Sequence, residues 1–287
     1  MPELPEVEVV RQGIHEYVVG KTISQISVHH PRAVRRQVGA DREFIARLKN
    51  RQVVDTQRRG KFMWLVLDND EALVTHLGMS GQVLIQPLGA APEKHLRVRA
   101  TFTEGDYAMH FVDQRTFGWM AVEEVVEDLN GISVPECAAH IAQDPLDPKW
   151  NRQATIDLIQ SKQTQIKRVL LDQTAISGIG NIYADEALWL AQLHWGSSAN
   201  SLSTQQLENL LDQATEVMRQ ALAVGGTSFD ALYVNVNGES GYFSRDLNAY
   251  GREGEPCNRC GTPIVRERFM NRSSFRCPMC QILSTER

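Results

Sequence analysis

Four cysteines near the carboxyl end constrain this chain more than any other feature. Cys257, Cys260, Cys277 and Cys280 follow the pattern C-x2-C-x16-C-x2-C. Two such pairs joined by a hairpin supply four thiolates, which is the ligand set of a closed, structural zinc site. Disulfides are the alternative, but an odd total of five cysteines disfavours them. We therefore predict one structural zinc ion and expect Cys137 to be a small buried hydrophobe.

Charge is distributed unevenly along the 287 residues. The whole chain has a formal net charge of -5, whereas residues 252–287 contain seven arginines and four glutamates, a net charge of +3. An acidic total argues against nucleic-acid binding, but binding depends on where the cations cluster. The chain has no apolar run of about 18 residues, and its acidic amino end is unlike a signal peptide. We expect a cytoplasmic protein without membrane contact.

Hydrophobic periodicity divides the chain into a β-rich part and a helical part. An amphipathic helix at the amino end is indicated by apolar residues three and four positions apart: Val7, Val10, Ile14 and Val18. From about 22 to 120, short alternating runs between turn residues predict a sandwich or barrel of strands. Beyond two Asp-Pro steps, helical patterns follow at 152–160, 163–172, 181–192 and 204–223. The glycines of "SGIGN" between the second and third of these predict a helix–turn–helix-like element.

Five loop positions carry candidate functional side chains. Asn181 follows "GIG" at a helix start, where free N–H groups suit a phosphate, although helix capping is the simpler interpretation. Met79 and Phe117 lie in glycine-flanked loops; such residues usually fill a core, but DNA-bending proteins also use them as wedges between bases. Arg115 and Lys61 are either solvated surface charges or phosphate contacts.

Six motifs in this order resemble those of the bacterial formamidopyrimidine-DNA glycosylases, the Fpg or MutM family. They are "PELPEVE", "RRGK", "HLGMSG", "DQRTFG", "SGIGNIYADEAL" and the paired cysteines. The resemblance covers essentially the whole chain, and the separations between the motifs also match.

The resemblance implies an α+β fold of three domains. A catalytic β-sandwich fronted by the first helix would span 1–145, a helical domain with a helix-two-turn-helix and a lesion-binding loop at 224–242 would span 146–245, and a zinc-finger β-hairpin would span 246–287. The implied function is base excision repair of damaged double-stranded DNA. Oxidised purines such as 8-oxoguanine and formamidopyrimidines would be excised, and the abasic site would then be cleaved. We expect a monomer.

Four residues match the family's catalytic positions. Pro2, once Met1 is removed, would attack C1′ with its secondary amine and form a Schiff base, whose positive charge promotes elimination. An α-amine also ionises nearer neutrality than a lysine. Glu3 would act as the acid/base. Lys61 would contact a phosphate and donate a proton in β-elimination, and Arg272 would grip flanking phosphates and assist δ-elimination.

Six further residues match DNA contacts of the family. Met79, Arg115 and Phe117 would fill the gap that the everted nucleotide leaves, since the base must leave the stack before it is excised. Arg115 would pair with the orphaned cytosine. The phosphate contacts would be His95, Asn181 and Lys167. The sequence departs from the family pattern at Gln114, Thr116 and Gln163.

Two other functions fit parts of the sequence. An enzyme of the endonuclease VIII type would remove oxidised pyrimidines by the same amine chemistry, but its amino end more typically reads "PEGPE". A non-catalytic zinc protein that binds DNA would need neither the adjacent Pro2 and Glu3 nor Lys61.

Overall fold

The computed structural model describes residues 2–226, 236–237 and 247–283. The chain forms two compact units, one from 1–140 with 224–242 and the other from 141–223 with 243–287. No helix within the described ranges is long and apolar enough to cross a membrane. The division into three domains at 145 and 245 stays a prediction.

The first unit is a sandwich of two antiparallel sheets. One sheet has the order β1-β6-β7-β5 and the other β2-β3-β4-β8-β9. The strands are β1 (Ile23–Val28), β2 (Val53–Arg59), β3 (Phe62–Leu67), β4 (Glu71–His76), β5 (Gly81–Pro87), β6 (Leu96–Phe102), β7 (Tyr107–Asp113), β8 (Trp119–Glu127) and β9 (Ser133–Pro135). One apolar cluster joins the two sheets, because β6 and β7 contribute Val98 and Phe111 while β3 and β8 contribute Leu65 and Val122.

Two helices close this sandwich. Helix α1 (Leu4–Val18) places its predicted stripe of valines and isoleucine in the same cluster as the strands. Helix α2 (Ala40–Leu48) adds Phe44 and Leu48, both fully buried. Short 3-10 helices lie at Pro31–Val34 and Glu136–Ala138. Cys137 packs at the edge of a second apolar cluster around Trp64 and Trp119, and burial raises the pKa of its thiol to about 12.

The second unit contains four helices and a β-hairpin. The helices are α3 (Arg152–Ser161), α4 (Ile166–Leu171), α5 (Asn181–Leu190) and α6 (Thr204–Ala223), with a 3-10 helix at Ala199–Ser201. The predicted helix at 163–172 is shorter than expected, because the backbone at Gln165 is extended and pairs with Ser198. The hairpin pairs β10 (Val265–Phe269) with β11 (Arg272–Arg276), between the two cysteine pairs. The predicted fold class is confirmed.

Most of the expected lesion-binding loop at 224–242 lies outside the described residues. Of its described positions, Val236 is 3% exposed and belongs to the apolar cluster of the first unit. Its carbonyl accepts a 2.9 Å hydrogen bond from the Ile85 N–H. Gly13 of α1 makes room for it, since a Cβ there would come within 2.8 Å of the Val236 side chain.

Candidate functional site

The first turn of α1 fixes the predicted nucleophile and acid/base next to each other. Pro2 is buried, and Glu3, at the N-cap, is 3% exposed. The Glu3 N–H donates to Glu6 Oε2 over 2.8 Å, and the Glu3 side chain returns a bond to the Glu6 backbone in a capping box. This box satisfies N–H groups that a helix start otherwise leaves unpaired. Glu3 is therefore held rigidly beside Pro2.

Lys61 immediately precedes β3, and the turn before it is tied to α1 through an ion pair of Arg58. The chain turns at Gly60, whose φ of 55° favours glycine. Arg58 donates to the Gly60 carbonyl at 3.0 Å and to Glu8 Oε2 of α1 at 3.0 Å. Burial opposes ionisation of Glu8, but Arg11 and Arg58 hold the pKa of its carboxyl below the usual value. The Lys61 side chain is 7% exposed, so it has little water around it.

The predicted gap-filling residues stand on two loops that touch each other. Met79 follows β4 and Phe117 precedes β8, and they are 41% and 39% exposed although both are large and apolar. The Arg115 guanidinium lies 4.7 Å from the centroid of the Phe117 ring. A Cβ at Gly78 would come within 2.5 Å of the Gly118 nitrogen, so only glycine permits this approach. These side chains project from the unit instead of filling its core.

Asp113 holds these two loops together, a role that the sequence analysis missed. Its carboxylate is fully buried and accepts bonds from Ser80 Oγ at 2.5 Å, the Arg115 N–H at 3.1 Å and the Gly118 N–H at 2.7 Å. Its own N–H donates to the His95 carbonyl at 3.0 Å, which places the half-buried His95 beside them. The available signal was an aspartate at a strand end, a residue type whose side chain commonly bonds to backbone N–H groups of the following turn.

We expect Asp113→Asn to lower the free energy of unfolding by about 1–3 kcal/mol, because the new amide group faces N–H donors and leaves at least one without an acceptor. Urea unfolding followed by tryptophan fluorescence measures the change. Asp106→Asn is the matched control, since Asp106 is exposed and should alter stability by less than about 0.5 kcal/mol. Equal effects of the two substitutions would contradict the role assigned to Asp113.

Asn181 links helix α5 to the zinc hairpin. Gly180 occupies the N-cap position, so Asn181 is the first helical residue and the capping interpretation is wrong. Its Nδ2 donates to the Ser273 carbonyl at 2.9 Å, and its Oδ1 is buried without a partner among the described residues. Arg272, the neighbour of Ser273, is exposed at the first position of β11. The structure thus connects the strand that carries Arg272 with the start of α5.

Lys167 lies in a buried ion pair, an environment that the sequence analysis did not anticipate, and its phosphate contact stays a prediction. Its side chain is fully buried, and its Nζ lies 2.6 Å from Asp185 Oδ1 and 4.9 Å from the centroid of the Phe269 ring. Asp185 also accepts from Ser274 Oγ at 2.8 Å and the Phe275 N–H at 3.0 Å. Burial raises the pKa of Asp185 to about 6, against the opposing effect of Lys167. The pair joins α4, α5 and β11.

Glu186 makes a second buried connection from α5. Its carboxylate accepts from the backbone N–H groups of Asn248, Ala249 and Tyr250, each at 2.8 Å. Burial raises the pKa of this carboxyl despite these bonds. Sequence reasoning missed Asp185 and Glu186. The signal was two acids inside "NIYADEALWL", a helix that is otherwise apolar on every side and therefore buried.

We expect Lys167→Met to lower the free energy of unfolding by about 3–5 kcal/mol, because it leaves the Asp185 carboxylate buried without a cation. Urea unfolding of the zinc-loaded protein measures this loss. Arg168→Met is the control, since Arg168 is exposed and a surface change of this kind costs less than about 0.5 kcal/mol. A Lys167→Met protein of unchanged stability but weaker DNA binding would support the phosphate contact instead.

The four predicted zinc ligands converge in space. The sulfur atoms of Cys257, Cys260, Cys277 and Cys280 all lie within 4.8 Å of one another. A tetrahedral ion with Zn–S bonds near 2.3 Å separates its sulfurs by about 3.8 Å, so the donor set fits. Trp189 of α5 donates its Nε1–H to the Cys257 sulfur at 3.4 Å, and the Arg259 N–H does so at 3.4 Å. Such bonds stabilise thiolate charge.

Three family models match the chain. The Formamidopyrimidine-DNA glycosylase N-terminal domain matches residues 1–120, and the Formamidopyrimidine-DNA glycosylase H2TH domain matches residues 141–232. The zinc finger found in FPG and IleRS matches residues 254–282. Together with the four-thiol cluster, the last match confirms one structural zinc site.

Proteins of known name and structure agree over the whole length. A formamidopyrimidine-DNA glycosylase of Thermobifida fusca (strain YX) is 56% identical over 98% of this chain and 97% of its own. A formamidopyrimidine-DNA glycosylase of Mycolicibacterium smegmatis is 57% identical over 98% of this chain and 97% of its own. A crystal structure of Lactococcus lactis Fpg with DNA containing an abasic site has a TM-score of 0.83 at 30% identity, covering 97% of this chain and 99% of its own. MutM in complex with DNA containing carbocyclic 8-oxo-G has a TM-score of 0.84 at 30% identity, over 98% and 100%. The chain belongs to the formamidopyrimidine-DNA glycosylase family.

Proposed function

We propose that this chain excises oxidised purines from duplex DNA through a Schiff base on Pro2 and then cleaves the abasic site by β- and δ-elimination. As a member of its family, it is a DNA glycosylase of base excision repair. The observation that carries the residue assignment is the first turn of α1, where Pro2 is buried and the capping box holds Glu3 beside it. This geometry places a ring nitrogen at the start of a rigid helix with a carboxyl group beside it, which is the arrangement that an amine nucleophile and its acid/base require.

The glycosylase step uses the amine of Pro2, freed by removal of Met1. Its lone pair forms a bond to C1′, and the bond from C1′ to the base breaks, with the electron pair leaving on the base. Glu3 carries the proton between the amine, the opening sugar ring and the departing base. The fixed ring of proline keeps the nitrogen at the start of a rigid helix, which restricts it to productive orientations.

The lyase step follows from the iminium that results. This cation draws electrons from C2′, so the 2′ hydrogen becomes acidic and the 3′ phosphate leaves by β-elimination. Lys61, with little water around it, stabilises the phosphate charge and donates a proton. Arg272 on the exposed end of the hairpin binds the flanking phosphates and assists loss of the 5′ phosphate by δ-elimination.

Met79, Arg115 and Phe117 keep the everted base out of the stack. Their exposure and the rigid loops beneath them suit insertion into a gap in the duplex. His95 and Asn181 contact phosphates. We also propose that the enzyme acts as a monomer in the bacterial cytoplasm, where it associates with the nucleoid during repair.

The test is an excision assay with the zinc-loaded protein on three duplexes, carrying 8-oxoguanine opposite cytosine, thymine glycol opposite adenine, or no lesion. Sodium borohydride, which reduces a Schiff base, is added in parallel. We expect faster cleavage of the 8-oxoguanine duplex, a covalent protein–DNA adduct, and products with phosphates at both ends of the gap. Glu3→Gln should retain binding to the lesion duplex while losing excision.

Two outcomes would contradict the proposal. Preference for thymine glycol would indicate an enzyme of the endonuclease VIII type. Binding of lesion duplexes without cleavage or adduct would indicate a zinc protein that binds DNA and lacks catalysis.

A further inference from the structure

The segment after β1 carries a concentrated positive charge. It reads "HHPRAVRR" from 29 to 36 and includes the 3-10 helix Pro31–Val34. Arg32, Arg35 and Arg36 are all exposed. Three arginines within five positions are unexpected on the surface of a chain with net charge -5, because like charges repel one another.

None of these three arginines forms an ion pair with a carboxylate in the part of the chain that the structure describes. Four other arginines of the same unit each pair with an acid: Arg11, Arg47, Arg58 and Arg59. Burial lowers the pKa of Arg35, and the charges of Arg32 and Arg36 lower it further, against the opposing effect of the buried Asp113 carboxylate. The cluster thus retains a positive potential that an external anion would relieve.

Arg35 ties this cluster to the loop that carries Arg115 and Phe117. Its Nη1 donates to the Gly118 carbonyl at 2.7 Å and the Arg32 carbonyl at 2.9 Å, and its Nη2 donates to the Phe117 carbonyl at 2.8 Å. Within the described residues its Nε–H has no hydrogen-bond partner. A guanidinium N–H of this kind donates a charge-assisted hydrogen bond to a phosphate oxygen.

The arginine cluster and Lys61 both act electrostatically on the His76 ring. The Arg36 guanidinium lies 4.4 Å from the Trp119 ring centroid, and the His76 ring stacks on Trp119 with centroids 5.9 Å apart. Burial lowers the pKa of His76 to about 4, with further contributions from Arg36, Lys61 and Arg35. His76 is therefore neutral at physiological pH, and the cations of the cluster and Lys61 act on the same point.

We propose that Arg32, Arg35 and Arg36 form a phosphate-binding surface for the DNA backbone, continuous with the loop of Arg115 and Phe117. This surface rests on the proposed function and adds contacts to it. Each guanidinium that replaces condensed counterions on a phosphate strengthens the salt dependence of binding. The bonds from Arg35 to the Phe117 and Gly118 carbonyls mean that phosphate binding also restrains the loop that enters the duplex.

The test measures the dissociation constant at several salt concentrations for Arg32→Gln, Arg36→Gln and the double variant. The probe is a duplex with a tetrahydrofuran abasic analogue, which the enzyme binds without cleaving. Arg35 is left intact because it also holds the loop. For the association constant, the logarithm falls linearly with the logarithm of the salt concentration. We expect each single substitution to reduce the magnitude of this slope by about 0.9, and the double substitution by about 1.8. Arg42→Gln is the matched control, an exposed arginine on α2 with the same loss of charge.

Slopes for the two single variants that equal the slope for Arg42→Gln would overturn the proposal, since a general loss of charge would then explain any weakening. Borohydride trapping on the 8-oxoguanine duplex is run with the unmodified protein on the same day. Its failure would reject the amine chemistry, whereas the slopes report only on phosphate contacts. The two proposals therefore fail separately.

Discussion

Replacing Pro2 with glycine is expected to lower single-turnover excision of 8-oxoguanine by at least about 100-fold, which corresponds to about 2.7 kcal/mol of activation free energy. The borohydride-trapped adduct should fall in parallel. Glycine keeps a primary amine at the chain end, but it loses the secondary amine and the ring that fixes the nitrogen against α1. The amine then samples many orientations before one reaches C1′.

Pro5→Ala provides the control for this substitution. Pro5 lies in the same first turn of α1 and is also buried, but it has no free amine. Its replacement should leave trapping and excision within about threefold of the unmodified enzyme, because alanine is accepted in a first helical turn. Binding to the abasic-analogue duplex reports that Pro2→Gly is still folded. An adduct of undiminished yield from Pro2→Gly would refute Pro2 as the nucleophile.

Loss of zinc is expected to weaken DNA binding by at least about 100-fold. Cys257→Ala removes one of four ligands, and the free energy of metal binding is what folds a small zinc module. With β10 and β11 unfolded, Arg272 has no fixed position, and Asn181 loses its partner at the Ser273 carbonyl. Zinc content, fluorescence anisotropy with labelled duplex, and amide hydrogen exchange measure the three consequences.

Cys137→Ala is the matched control for the zinc prediction. This thiol belongs to the first unit and is not one of the four zinc ligands, so its removal should change neither zinc content nor affinity. Hydrogen exchange in β2 to β8 should remain slow in Cys257→Ala, since the sandwich has its own apolar core. Retained affinity in a zinc-free protein would contradict the structural role of the site.

Local hydrophobic patterns predicted most helices well because the buried face of a helix recurs at a fixed spacing. The apolar residues of α1 recur every three or four positions, and the helices at 152–161 and 204–223 have the same regularity. This spacing alone predicts which face of each helix is buried. The second helix of the second unit was the exception. Its beginning at Ile166 depends on backbone pairing between Gln165 and Ser198, more than 30 positions apart, which no local window contains.

Charged side chains were harder to predict than apolar ones. The sequence analysis predicted Lys167 as a phosphate contact and did not single out Arg35, yet Lys167 is fully buried against Asp185 and Arg35 supports a loop through backbone carbonyls. A lysine is stable in an apolar interior only if a carboxylate approaches it, and that carboxylate lies 18 positions further along the chain. Whether a charged side chain is buried or exposed therefore depends on partners that are distant in sequence and close only in the folded chain.

The sequence by itself determined the kinds of chemistry available: an amino-terminal proline followed by an acid, two glycine-flanked loops with apolar tips, and four thiols at zinc spacing. These are properties of residue types at short separations, and short separations survive in any fold. The tertiary structure alone decided which side chains are buried and hydrogen-bonded and which are exposed to solvent. Asp113 is buried beneath both loops, Lys167 is buried against Asp185, and Arg32, Arg35 and Arg36 form no ion pair among the described residues, because burial and pairing depend on contacts between distant segments.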